Sequence, residues 1–260
     1  MGIKKDIGFT LKAFDFRETS KIVHIFTKNN GKIHGLFKGL RAGKKNFTTS
    51  LDSFSLNELI FYESKNEMWL VSSADMIDNF SFLKENVEKN IIASYIVELV
   101  DKINPLHLPS IKVFNLVNDS LRGLEDNIHK KVIYIFQIRI LEISGFRPHL
   151  TACVRCSKEV EKKAFFSINL GGVLCASCLS YDKLAKELSP DVIASLKYIQ
   201  NNDFRLSLRL NLSPLTQRVI LEILEEFLGY HLDTRLKSLS SMAVFSRTSP
   251  EIRDGAGFRQ

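Results

Sequence analysis

Cys153-Val-Arg-Cys156 and Cys175-Ala-Ser-Cys178 are the only cysteines in the 260-residue chain. Each C-x2-C makes a tight turn that aims two thiolates at one point. The 18 residues between the pairs are enough for a β-hairpin that brings the second turn opposite the first. Four sulfurs so placed suit a tetrahedral Zn²⁺ in a closed, structural site. Two disulfides or a redox C-x-x-C are the competing readings. The start, MGIKKDIGFT, lacks an export-type apolar segment, and no apolar run reaches membrane-span length. A reducing, cytoplasmic setting is therefore expected, which favours thiolate–metal over disulfide. A shell filled by four cysteines leaves no position for substrate, so the element reads as scaffold or binding module.

The formal charge of +7 is unevenly distributed. Residues 1–50 hold 11 Lys/Arg against 3 Asp/Glu, whereas the remainder is nearly balanced. From Thr19 to Leu51 there is no acidic residue at all. A one-sign block inside a folded domain repels itself unless a polyanion relieves it, and nucleic acid is the expected partner.

Residues 1–78 read as β. Apolar segments at Ile7–Phe14, Lys21–Phe26, Lys32–Phe37, Leu56–Phe61 and Trp69–Ala74 are separated by turn signals, among them Asn29-Asn30-Gly31. Five short strands in this length suggest a small OB-type barrel. Beyond Asp78 the period becomes helical. Ile91, Ile92, Tyr95, Ile96, Leu99, Val100 and Ile103 form one stripe, residues 109–124 a second helix, and Val132 through Ile143 a helix apolar nearly all round, read as central. Gly145 and Pro148 end it. After the cysteine module at 150–180, Ser189-Pro190 and Ser213-Pro214 mark two more helix starts. The fold class is thus α+β: an N-terminal OB-type β-barrel (1–78), then an all-helical domain (79–244) carrying the four-cysteine zinc element. Residues 245–260 are expected to be a disordered tail.

Motifs for nucleotide hydrolysis, dinucleotide binding, serine hydrolysis and zinc proteolysis are absent from the sequence. The six histidines show no ligand spacing. His149 lies near Cys153 but is not needed in a filled shell, and Glu225-Glu226 reads as a solvated helix face. The chain is not expected to be an enzyme.

The order of parts resembles the bacterial RecO family of recombination mediators. The resemblance rests on Arg17-Glu-Thr-Ser-Lys-Ile-Val-His-Ile-Phe-Thr27 with Gly31, and on the basic loop Phe37-Lys-Gly-Leu-Arg-Ala-Gly-Lys-Lys45. It extends through Ser144-Gly-Phe-Arg-Pro-His-Leu150 with the two cysteine pairs, and Tyr230-His231 to Ser238. It implies binding of single- and double-stranded DNA and annealing of strands. It also implies loading of RecA with the partner RecR onto DNA coated by single-strand-binding protein, whose acidic, Phe-ended tail is engaged directly. On that reading Lys32, Lys38, Arg41, Lys44 and Lys45 contact the phosphates of nucleoid DNA. Phe37 and Phe47 either stack on bases or, as strand alternation favours, fill the barrel core. Arg122, Lys130, Lys131 and Arg139 receive the partner tail, unless they are ordinary exposed helix charges. A zinc-ribbon OB protein that binds RNA is the alternative. A metal-dependent nuclease is disfavoured, because no carboxylate/His cluster accompanies the cysteines.

Overall fold

The computed structural model describes residues 2–40, 47–49, 51–64, 67–125, 129–160, 163–232, 236 and 238. Five strands come first: β1 (Ile3–Phe16), β2 (Ser20–Thr27), β3 (Gly31–Phe37), β4 (Leu56–Tyr62) and β5 (Met68–Asp78). They pair in the order β1-β2-β3-β5-β4, and β4 returns to β1, so the sheet closes as a barrel of the expected OB type. Within it only β3 and β5 run parallel. β1 is long because it serves two neighbours. Ile3–Phe9 pairs with β4 and Gly8–Phe16 with β2, and a register shift between Thr10 and Lys12 bends it around the barrel.

Alternation sends Val23, Ile25, Ile33, Phe37, Leu59, Phe61, Trp69 and Val71 inward. Phe37 is fully buried there and Phe47 packs on it with ring centres 5.5 Å apart. Phe37 is therefore core, as its alternation favours, and Phe47 is partly buried against it. The β2–β3 turn is locked by Asp6, whose carboxylate accepts from the Asn29 backbone N–H at 2.9 Å and from the Asn30 side-chain amide at 2.6 Å. Gly31 sits at φ +68° with the backbone of Leu108 against it, and a Cβ would lie 2.3 Å from the Leu108 carbonyl oxygen. Only glycine meets both demands.

Among the described residues seven α-helices follow: α1 (Ser81–Glu85), α2 (Val87–Ile103), α3 (Ile111–Gly123), α4 (His129–Ile143), α5 (Pro190–Asn201), α6 (Phe204–Leu208) and α7 (Pro214–Leu232). α1 and α6 are single turns, too short to show a helical period in sequence. α4 is central: from Val132 to Leu141 only Arg139 escapes full burial. Asn86 and Ser110 cap α2 and α3 with their side chains. Ser213 does the same for α7, accepting from the Thr216 N–H at 3.1 Å, whereas Ser189 at the start of α5 makes no such bond. Among the described residues no helix is long and apolar enough to cross a membrane.

The outer face of the barrel shares one core with the helices. Phe9, Leu11, Phe26, Phe54 and Leu56 are buried together with residues of α2, α3 and α4. Burying one such Phe contributes roughly 1.5–3 kcal/mol. A polar seam borders this contact. His24 on β2 and His34 on β3 are direct cross-strand partners, stacked with ring centres 4.0 Å apart. The His24 Nδ1 lies 3.0 Å from Asp101 Oδ1 on α2, and the Lys32 ammonium donates to the Asp101 carbonyl and sits 3.6 Å from its carboxylate.

Burial works against the Asp101 carboxylate, but the His24 ring and the Lys32 ammonium outweigh it and hold its pKa below the ordinary range. Burial, then His24 and Lys32, lower His34, and Asp101 and Glu67 only partly offset them. A histidine lowered by folding binds its proton more readily in the unfolded chain. The stability it allows at neutral pH is therefore lost as pH falls below the ordinary histidine range. Asp101 has the same sign, but its loss comes later, as pH falls through its depressed pKa. Thermal unfolding is accordingly expected at lower temperature at pH 5 than at pH 7, with a smaller decrement in His34→Asn. An equal decrement in the variant would show that the seam does not carry the effect.

Candidate metal centre and nucleic-acid interface

Between α4 and α5 the chain builds a small sheet of β6 (Ala164–Ser167), β7 (Gly172–Cys175) and β8 (Lys186–Leu188), in the order β7-β6-β8. The first cysteine turn is held by the Cys153 N–H donating to the Lys158 carbonyl at 2.8 Å and the Ser157 N–H to the Cys153 carbonyl at 2.9 Å. Ser157, at φ +57°, reverses the chain. The second turn leaves the end of β7 and continues as a 3-10 helix, Ala176–Tyr181. His149 fastens the two halves through its backbone: its N–H donates to the Gly171 carbonyl and its own carbonyl accepts from the Val173 N–H. The approach is close enough that a Cβ at Gly172 would lie 2.3 Å from the His149 oxygen. His149 thus serves the hairpin through its main chain and is not part of the sulfur cluster.

The four sulfurs lie within 4.8 Å of one another, with Cys156 and Cys175 at 3.7 Å. An ideal tetrahedron with Zn–S bonds of about 2.3 Å has S···S edges of about 3.8 Å. A disulfide needs about 2.05 Å, and all four cysteines are free. Cys153 and Cys178 are buried against the core, and Cys156 and Cys175 lie nearer the surface. The electrostatics also ask for a cation. Desolvation opposes ionisation of Cys153, but hydrogen bonds from the backbone of Cys175, Cys156 and Arg155 outweigh it and bring its thiol down to about 6. Cys178 is pushed up to about 12, by burial and then by the three neighbouring sulfurs. Four thiolates cannot coexist there without positive charge between them, and a bound divalent ion reverses that repulsion. The donor set therefore fits a metal of the zinc type.

The basic residues behave less uniformly. Lys38 is exposed just beyond β3. Lys32, expected on phosphate, has a side chain 12% exposed whose ammonium is taken by Asp101. Arg41, Lys44 and Lys45 lie outside the described residues, as does the expected tail, residues 245–260. The four cations expected to receive a partner tail do not form one cluster. Arg122 pairs with Asp78 at 3.1 Å and stacks on Phe80, pinning α3 to the end of the barrel. Arg139 pairs with Glu142 and donates to the Ile199 carbonyl at 2.7 Å, tying α4 to α5. Lys131 reaches the Leu208 carbonyl at 3.3 Å, and Lys130 is exposed. Of the four, only Arg139 lines the open cavity of about 610 Å³ between α3, α4 and α6, beside Lys112, Leu116, Ile143 and Phe204. Glu225, expected on a solvated face, is half-buried. Burial and then Glu222 hold its carboxyl above the ordinary range, while Glu226 pairs with Lys186.

The His24–His34–Asp101 seam has no ligand spacing to announce it. Its signal in the sequence is the hairpin turn, because a hairpin that pairs Thr27 with Gly31 necessarily sets residue 24 against residue 34.

A closed OB-type barrel sealed to a helical region, with four cysteines clustered at metal-binding distance beside a hairpin, defines the class: an OB-type barrel on a helical scaffold. Comparison with known proteins sharpens it. The family model described as Recombination protein O N terminal matches residues 1–80, and that described as Recombination protein O C terminal matches residues 84–240. The chain is 30% identical over 233 residues to the DNA repair protein RecO of Caldicellulosiruptor saccharolyticus, covering 89% of this chain and 94% of that one. It is 27% identical over 251 residues to the DNA repair protein RecO of Syntrophus aciditrophicus, covering 94% and 96%. The chain belongs to the RecO family, which gives it a role in DNA repair and recombination as a mediator.

The cluster is expected to carry about one equivalent of zinc per chain after purification without chelators. Cys175→Ser should lower the melting temperature by roughly 10 °C, the scale of losing about 3–5 kcal/mol in a domain of this size. Metal content well below half an equivalent, or sulfurs paired as disulfides, would overturn the metal reading.

Proposed function

We propose that the chain binds single- and double-stranded DNA through its N-terminal barrel, anneals complementary strands, and with RecR helps load RecA onto DNA coated by single-strand-binding protein. The observation that carries the DNA-binding part is the excess of 11 basic over 3 acidic residues in the first 50, on a closed OB-type barrel. Lys38, Arg41, Lys44 and Lys45 are assigned the phosphates. Lys32 is left out, because its ammonium is taken up by the Asp101 carbonyl and carboxylate. Annealing then needs no reacting group: a basic surface that screens two phosphate backbones lets base pairing proceed. Cys153, Cys156, Cys175 and Cys178 hold a structural Zn²⁺ that organises the hairpin and takes no part in chemistry. A cytoplasmic protein acting on nucleoid DNA follows from this role.

Replacing Lys38, Arg41, Lys44 and Lys45 together by Ala should weaken single-strand binding strongly. It should also flatten the salt dependence, by up to about 0.7 in log–log slope for each phosphate that is no longer neutralised. Wild-type binding and annealing by this variant across a salt series would move the site elsewhere. Tighter binding to RNA of matched sequence would favour the RNA alternative.

The acidic, Phe-ended tail of single-strand-binding protein is assigned to the helical domain. Its receptor should combine apolar contact with cations; the α3–α4–α6 cavity sets Leu116, Ile143 and Phe204 beside Arg139 and Lys112, but Asp119, Glu142 and Asp203 line it too and would repel an acidic tail. Arg122 and Arg139 hold the fold, so exposed Lys130 and its neighbour Lys131, which lie outside that cavity, are the cations to test, although Lys131 also reaches the Leu208 carbonyl. Reversing both to Glu should weaken tail-peptide binding about five- to ten-fold, roughly 1–1.4 kcal/mol, while leaving naked-DNA binding unchanged. Unchanged peptide affinity would reject these two residues.

A further inference from the structure

The outer surface of the barrel is covered unevenly. Ala13, Val23 and Val71 face its interior, so their neighbours on β1, β2 and β5 face outward. Register then defines two outward rows across four strands. Phe14 pairs with Ile22, Ile22 with Leu36, and Leu36 with Leu70. Lys12 pairs with His24, His24 with His34, and His34 with Met68. Farther along β2, Phe26 is fully buried under the helical domain. The contact of His24 with Asp101 marks where that cover stops. Beyond it the apolar row stays open, with Phe14 38% and Leu70 36% exposed, and Met68 at the end of the neighbouring row is 42% exposed.

A cleft of about 830 Å³ adjoins this row, lined by Phe16, Arg17, Leu36, Lys38 and Met68, with Glu18 the one carboxylate among its described lining residues. Cations lie over the aromatic rings. The Lys12 ammonium is 4.5 Å from the centre of Phe14, and the Arg17 guanidinium 5.2 Å from that of Phe16. Arg17 holds this place at φ +55°, a conformation that disfavours any side chain.

We propose that this strip seats unpaired bases of a single DNA strand, with Phe14 and Phe16 as stacking platforms and Arg17 and Lys38 on the flanking phosphates. The proposal rests on the DNA-binding reading above and adds to it the part of the nucleic acid that is recognised. Four strands span about 14 Å, room for two or three bases, as on other four-stranded nucleic-acid-binding sheets. Half-exposed rings flanked by cations suit a ligand that alternates flat apolar groups with negative charges. In a duplex the base faces are hidden, so the strip contributes only to single-strand binding. It lies on β1, β2, β3 and β5, whereas the phosphate contacts already assigned begin at Lys38, where β3 ends.

The test uses the full chain and three probes of equal length: oligo-dT, the same backbone without bases, and duplex DNA. Wild-type protein should bind oligo-dT at least about ten-fold more tightly than the abasic strand, since each stacked base is worth roughly 1–3 kcal/mol. Phe14→Ala with Phe16→Ala should abolish that preference while abasic and duplex affinities stay within about two-fold. Phe14→Leu with Phe16→Leu keeps the apolar volume, removes the ring faces, and should behave likewise even if the Ala variant folds poorly. A preference that survives in the Leu variant overturns the strip and leaves the DNA reading intact. So does a wild-type protein that binds oligo-dT and abasic strand equally. Wild-type protein that binds no probe overturns both. An acidic, Phe-ended peptide that competes for the strip in the absence of DNA would identify it as a peptide site and overturn the base assignment.

Discussion

A five-stranded barrel has an inside and an outside, and this one is apolar on both. Its interior is filled by its own residues, Phe37, Phe61 and Trp69 among them. Phe9, Phe26, Phe54 and Leu56 point outward and must be buried by something else. Helices α2 and α3 supply that cover, so barrel and helical region form one hydrophobic unit although they are contiguous halves in sequence. The close approach of Leu108 to Gly31, the Arg122–Asp78 pair and the Asp101–His24–Lys32 seam all edge the same contact. The surface left over is the surface available to ligands.

That dependence separates the residues whose roles are legible in sequence from those whose roles are not. Periodicity is a property of single elements. It therefore locates all five strands and the buried helix from Val132, while the hairpin between the cysteine pairs is read from their spacing. Lys32 escapes it for the opposite reason. Nothing within β3 distinguishes a lysine facing DNA from one facing Asp101, because their relation is set by how α2 docks, 69 residues away. Arg122 and Arg139 are similar: a cation at a helix position that looks exposed in sequence is a tie between elements in the fold. Glu225 lies on a face that looks solvated, yet α7 packs on α4 and α5 and leaves Glu225 half-buried. The four-cysteine element is legible because metal ligation requires convergence, and two turns of fixed spacing declare it.

The metal element and the barrel show two ways of organising a small sheet. The barrel closes on itself and buries a core. The β6–β7–β8 sheet has few residues and leans on α7, where Phe166 meets Phe227 with ring centres 5.5 Å apart. The sulfur cluster joins the same core through buried Cys153 and Cys178 and reaches the surface at Cys156.

The position of α4 in the chain bears on how the molecule is made. α4 is apolar nearly all round and is covered partly by α7, which begins about 85 residues after α4 does. At a synthesis rate of roughly 5–20 residues per second, α4 emerges roughly 4–17 seconds before its last cover exists. The cysteine hairpin lies within that interval. Once Cys178 has emerged, a metal ion held as proposed would pin it to Cys153 and shorten the free chain that must later bring α7 back to α4. Longer loops cost more entropy to close, so the clip favours the final docking step as well as the finished structure. Limiting metal during translation would then lengthen the life of a nascent chain with an exposed hydrophobic helix, the form most prone to aggregate.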